Sequence, residues 1–310
     1  MFQRILAPLD GSEYAEAALP MAARIAQASH AEVVLLHVLS GPREFLPFIL
    51  PMMQPSTLTA DVDAASAYLA AVAERPDLAD VTTVTEVQSG LVTSTILDVA
   101  AEHHADLVVL AAHAHTGLAR WAPGNVVEHV ERRGAIPVLA LTDQNASPAE
   151  QHPAHGLVLL DGTEQAEAAI APAKQLLAAL SGAQRASATL RLVWIGAFEP
   201  HPASTLAGQD GDVSLYLRGV EERLHSESNG GWPLTVTSEV VAEQDLPQAV
   251  AALADQKHAT FLALAPHRTR GFPLYVGANF DMRLRGATAL PLLLSPQHAA
   301  GEDAPDDPAQ

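Results

Sequence analysis

The sequence predicts an α/β fold in which a five-stranded parallel sheet flanked by helices occurs twice, and three observations lead there. Short β-branched or leucine-rich runs alternate with alanine-rich segments of helical length, the pattern of βαβ units around a parallel sheet. A polar, proline-bearing stretch divides the chain near its middle. The half after that stretch repeats, in order, the half before it.

In the first half the spacing predicts strands at Arg4–Pro8, Val33–Leu39, Val81–Gln88, Leu107–Ala111 and Pro137–Leu141, with four helices between them. Each run is strand-sized and rich in β-branched residues or leucine, the composition of strands in a parallel sheet. Five strands and four helices fit about 145 residues. The segment GPREFLPFILPMMQPSTLTA, Gly41 to Ala60, falls outside the repeat and carries four prolines, so it cannot be one continuous helix. A lid or partner-binding loop is one reading; the other is a long connection packing Phe45, Phe48, Met52 and Met53 on the nearby core.

Between Thr142 and Gly156, TDQNASPAEQHPAHG has linker composition. The expected division is domain one at 1–145, linker at 146–155, domain two at 156–297, and a disordered acidic tail at 298–310. The repeat rests on three anchors. ILAPLDGSEYAEAALP from Ile5 is echoed by LVLLDGTEQAEAAIAP from Leu157, with Asp161-Gly162-Thr163 where Asp10-Gly11-Ser12 stand; ADLVVLAAHAHTGL is echoed by ATFLALAPHRTRGF, and AIPVLAL by ALPLLLS. The last strand of each copy is an apolar run at a sheet edge, so the copies are expected to pair there as an intramolecular pseudo-dimer, through Pro137–Leu141 and Pro291–Leu294. From Gly301 onward no apolar side chain exceeds Ala or Pro, so truncation at Ala300 is expected to leave the thermal midpoint unchanged, as a melting curve would show.

Composition excludes several function classes. Lys+Arg 17 against Asp+Glu 36 gives a net charge of -19, which repels nucleic-acid backbones and anionic membranes. A phosphate ligand would need local backbone donors instead. No cysteine is present, which rules out disulfides, thiolate metal clusters and cysteine nucleophiles. MFQRILAPLDGSEYAEAALP has no apolar run of signal-peptide length, and no stretch reaches the roughly 18 to 20 apolar residues of a spanning helix; a cytoplasmic location is expected. There is no Gly-x-Gly-x-x-Gly after a strand, no Walker loop and no Gly-x-Ser-x-Gly elbow, so enzyme activity is not expected.

In open α/β sheets ligands bind beyond the carboxyl ends of the strands where strand order reverses, and the loops after the first and fourth strands meet there. After the first strand comes Pro8-Leu9-Asp10-Gly11-Ser12, with Ser12 as N-cap and Asp10 as a carboxylate at the sheet edge. After the fourth comes Ala111-Ala112-His113-Ala114-His115-Thr116-Gly117, then Pro123-Gly124-Asn125-Val126.

These residues resemble the universal stress protein family in its tandem form. Its hallmarks are an Asp-Gly-Ser-like turn after the first strand, a Leu-His-Val end to the second, and a motif of Gly-x-x-Gly, nine residues, then Gly followed by Ser or Thr. Here Leu35 to Val38 read LLHV, and nine residues separate Ala114 from Gly124. The resemblance covers both halves apart from Gly41 to Ala60, the linker and the tail. It implies Rossmann-like domains of the adenine nucleotide alpha hydrolase-like type and a stress-response regulatory role. It also implies an adenine-nucleotide site, ATP among its ligands, in the first domain: Asp10 near the ribose, Pro8 and Val38 around the adenine, and Ala111, His113, Ala114, Gly124, Asn125 and Val126 around ribose and phosphates.

Identity departs from the motif at Ala111 and Ala114, which replace glycines, and at Asn125, which replaces the hydroxyl residue. Each alanine adds a methyl where the backbone must approach a phosphate closely. Asn125 still offers an amide donor, and Gly124 with the helix N-terminus still offers backbone N–H groups. In the second half the loop reads Ala265-Pro266-His267-Arg268-Thr269-Arg270-Gly271, and Ala278-Asn279 stand where Gly124-Asn125 stood. Arg268 at the second glycine position puts a long side chain in the cradle, so nucleotide is expected in the first domain and not the second. His113-x-His115 could present two imidazoles to one side, but two ligands do not make a metal site. The alternative to nucleotide binding is a nucleotide-free scaffold whose loops are structural and whose surface, or Gly41 to Ala60 segment, meets an unidentified protein partner; slow ATP hydrolysis and homodimerisation are also open.

Overall fold

The structure is a computed structural model, and it describes residues 1–39, 55–111, 126–141, 153–182, 188–195, 213–228, 234–241, 245–266 and 280–296. The first half runs β1 (Arg4–Leu9), α1 (Glu13–Glu16), α2 (Leu19–Ser29), β2 (Glu32–Leu39), α3 (Pro55–Ala73), β3 (Thr83–Ser89), α4 (Val92–Glu102), β4 (Leu107–Ala111), α5 (Val126–Arg133) and β5 (Val138–Leu141). The second repeats it: β6 (His155–Leu160), α6 (Glu164–Glu167), α7 (Ile170–Ser181), β7 (Thr189–Trp194), α8 (Val213–Ser228), β8 (Thr235–Val240), α9 (Leu246–Gln256), β9 (Phe261–Leu264), α10 (Phe280–Ala287) and β10 (Leu292–Leu294).

Two differences from the sequence expectation have local causes. The helix expected between the first two strands is two pieces, a single turn α1 and then α2, because Pro20 near the start of α2 has no N–H to continue the α1 ladder. The Gly41 to Ala60 segment ends inside a helix: Pro55 opens α3, a position where its missing N–H costs nothing. Its earlier part, 40–54, lies outside the described residues, as does the tail from 297.

The ten strands form one sheet in the order β3-β2-β1-β4-β5-β10-β9-β6-β7-β8. Neighbours are parallel within each half, and the halves join antiparallel through β5 and β10, with Leu292 opposite Ala140, Leu293 opposite Leu139 and Leu294 opposite Val138. These are the two apolar edges that the sequence marks for pairing, and all seven residues of the two strands are buried.

Alternation along the strands sends Ile5, Leu35 and Leu107 to one face of the sheet and Leu6, Leu36 and Val108 to the other. Each face carries one continuous apolar cluster that crosses the junction. On the first face α2 packs on α7, and Arg24 Nη2 donates to the Leu180 carbonyl at 2.7 Å. On the second, Val127 and Val130 of α5 share a cluster with Phe280 and Leu284 of α10. No helix among the described residues is long and apolar enough to cross a membrane.

Candidate functional site

Strand order reverses around β1, which pairs with β2 on one side and β4 on the other, so a crevice is expected beyond the carboxyl ends of these strands. The structure brings four of the sequence-assigned residues to that edge. Pro8 stands opposite Leu36 in β2, Val38 comes two residues later on the same face, Asp10 lies just past β1, and Ala111 is the last residue of β4. Val126 is the first residue of α5. His113, Ala114, Gly124 and Asn125 lie outside the described residues, as do Arg268, Ala278 and Asn279 of the second half.

Asp10 is fixed by its own turn. Its Oδ1 accepts from the Ser12 N–H at 3.0 Å and from Ser12 Oγ at 2.5 Å, and Ser12 Oγ in turn accepts from the Ala15 N–H at 3.1 Å, capping α1. Gly11 between them has φ of +84°, a conformation that a side chain would strain. The second half reproduces the turn: Gly162 has φ of +84°, and Asp161 Oδ1 accepts from the Thr163 N–H at 3.1 Å and from Thr163 Oγ1 at 2.7 Å.

The copies differ in what covers the turn. Asp10 is exposed, whereas Asp161 is only 2% exposed and Thr163 is buried with it. At the strand ends leading to Asp161 the second half carries larger apolar groups: Leu159 where the first half has Pro8, and Trp194, buried at the end of β7, where the first half has His37. The same carboxylate turn therefore opens on solvent in one copy and is sealed in the other.

Beside each turn stands a cluster that the sequence reading missed. Glu16, the last residue of α1, accepts from Tyr68 Oη of α3 at 3.0 Å and from Arg75 Nη1 at 2.9 Å. Arg75 also holds Asp77 at 2.8 Å. In the second half Glu167 accepts from Tyr216 Oη of α8 at 2.9 Å and is paired with Arg223. Each tyrosine ring meets, edge-on, a ring near the end of the second strand of its half, His37 with Tyr68 at 5.8 Å and Trp194 with Tyr216 at 5.6 Å between centroids. Burial and the neighbouring glutamate hold both phenols protonated well above the ordinary tyrosine range. A signal was present: Glu16 and Glu167 occupy one place in the repeat, and Tyr68 precedes Arg75 by the same interval as Tyr216 precedes Arg223. No group of three or more metal-ligating side chains occurs among the described residues.

Residues 1–142 match the model of the universal stress protein family. A universal stress protein of Methanocaldococcus jannaschii is 28% identical over 144 residues, 46% of this chain and 82% of that protein. The crystal structure of a universal stress protein from Archaeoglobus fulgidus superposes with a TM-score of 0.68 at 17% identity, covering 95% of this chain and 98% of its own. A Pseudomonas aeruginosa protein of unknown function superposes at 0.56 with 14% identity, covering 95% and 92%. Those two likenesses speak for the fold alone, and they extend over both halves.

Proposed function

We propose that this chain, which belongs to the universal stress protein family through residues 1–142, is a stress-response regulatory protein with one adenine-nucleotide site, in its first half, for ATP or a related nucleotide. The observation carrying this reading is the contrast between the two Asp turns, Asp10 exposed at the switch-point edge and Asp161 sealed at 2%. In this reading Asp10 accepts from a ribose hydroxyl, and Pro8 and Val38 flank the base. Ala111, His113, Ala114, Gly124, Asn125 and Val126 surround ribose and phosphates, with the N-terminus of α5 supplying backbone donors. The domains divide at the 146–155 linker, with 1–145 competent and 156–297 degenerate. In this reading the chain acts by binding its nucleotide.

The replaced glycines, Ala111 and Ala114, favour the second reading, a nucleotide-free interaction scaffold. Titration calorimetry separates the two. Asp10→Ala is expected to weaken ATP binding about tenfold or more, because a hydrogen bond to a charged acceptor contributes roughly 1.5–3 kcal/mol. Asp161→Ala is expected to leave binding unchanged. If ATP, ADP and AMP give neither heat nor thermal shift with the unaltered chain, the scaffold reading replaces this one.

A further inference from the structure

The duplicated Tyr-Glu-Arg cluster has no part in the nucleotide reading, yet it touches the one turn on which that reading depends. Glu16 lies four residues beyond Ser12 on the single helical turn that Ser12 caps, so its position is rigidly tied to the turn. Tyr68 arrives from a different element, α3, and its hydroxyl spans the gap by donating to Glu16. Arg75 holds the other oxygen of Glu16. The carboxylate is thereby locked in orientation by two donors from outside its helix.

A stabilising role alone explains this arrangement poorly. The Glu16–Arg75 pair is partly exposed, a setting in which ion pairs add little to stability. The cluster instead fixes geometry. Asp10 is exposed, and its bonds to Ser12 orient the carboxylate within the turn, while Glu16 on the helical turn that Ser12 caps is the point at which Tyr68 holds this unit. Tyr68 ties that helical turn to α3 through Glu16. In the second half Tyr216 makes the same bond to Glu167, but the Asp161 turn is already held by burial.

We infer that Tyr68 is a positioning residue for Asp10: by bonding Glu16, on the helical turn that Ser12 caps, it holds the Asp10-Gly11-Ser12 turn in the pose that presents the carboxylate to a ligand hydroxyl. The ligand part of this inference rests on the nucleotide reading; the turn-holding part does not.

The test uses the full chain with Tyr68→Phe, and Tyr216→Phe as an internal control that deletes the same hydroxyl from the sealed copy. Hydrogen exchange at the Ser12 and Ala15 amides, measured without nucleotide, is expected to be about tenfold faster in Tyr68→Phe and unchanged in Tyr216→Phe, as loss of one hydrogen bond that anchors the turn requires. ATP affinity by calorimetry is expected to fall about tenfold in Tyr68→Phe alone, with the thermal midpoints of the two variants matching each other. Should Tyr68→Phe fold poorly, Glu16→Gln, which keeps an acceptor for Tyr68 but loses the charge facing Arg75, is expected to preserve the slow exchange. Exchange and affinity both unchanged in Tyr68→Phe would overturn the inference, as would equal affinity losses in the two tyrosine variants. If the unaltered chain binds no nucleotide, the function proposed above falls, and the exchange rates alone decide whether Tyr68 holds the turn.

Discussion

Raising the pH from about 5 to about 9 is expected to weaken this fold by roughly 2–5 kcal/mol through Glu131, and Glu131→Gln is expected to remove that loss. Glu131 lies on α5 and is only 3% exposed. Burial is the main reason its pKa rises from 4.5 to about 8. Asp281 of α10 and Glu128 of its own helix push the same way, while Arg285 of α10 and Arg132 oppose them. Arg285 is itself buried and already paired with Asp281, so the attraction it offers Glu131 is shared. Which state holds the proton sets the sign. Below about pH 4.5 the carboxyl is neutral in both folded and unfolded chains. Between there and about 8 the unfolded chain ionises while the folded one stays protonated, so stability drains away as pH rises, and above about 8 the loss is complete. Chemical denaturation at several pH values measures this directly. The unaltered chain should lose midpoint steadily across the window and Glu131→Gln should lose much less; coincident slopes would mean that the carboxyl is solvated.

The same residue shows where sequence reasoning stops. Counting from Asn125 and Asn279, Glu131 and Arg285 occupy one position of the repeat, and a surface helix carrying Glu in one copy and Arg in the other looks unremarkable. Their burial is visible only in the folded chain, where β5 and β10 pair and α5 and α10 contribute to one cluster. The strands were legible for the opposite reason. A strand covered on both faces is a near-continuous apolar run, so the buried stretches of RILAPL, EVVLLHVL and LVVLA announce themselves without any partner. Asp10 and Ser12 were legible because capping is local chemistry within a few residues. Glu16 was visible in the repeat, but its partner Tyr68 comes after a connection that differs between the copies, Gly41 to Ala60 in one and the stretch before Val213 in the other, which hides the equivalence of α3 and α8. The break between α1 and α2 is signalled by Pro20 but masked by an alanine-rich run of otherwise strong helix formers.

Gly156→Ala is expected to destabilise the protein by roughly 1–3 kcal/mol, and Phe261→Ala by roughly 3–5 kcal/mol, because these residues share one volume. Gly156 in β6 stands opposite Phe261 in β9, and a Cβ on Gly156 would meet the Phe261 ring at 2.5 Å. The ring has nowhere to retreat, since Phe261 is 0% exposed in the cluster that spans the junction. The first copy fills the same place differently: there Ile5 of β1 stands opposite Leu107 of β4. One copy divides the space between two middle-sized side chains, the other between none and a large one. The exchange has a consequence that simple overpacking lacks. Transplanting the first copy's solution, Gly156→Ile together with Phe261→Leu, is expected to recover most of the stability that Gly156→Ile alone destroys, giving a coupling energy of roughly 1–3 kcal/mol in a double-mutant cycle, the range for residues in direct contact. Denaturant midpoints of the two single variants and the double measure it. Additive losses would show that β6 and β9 do not meet at this pair, and would count against the register that aligns the two halves.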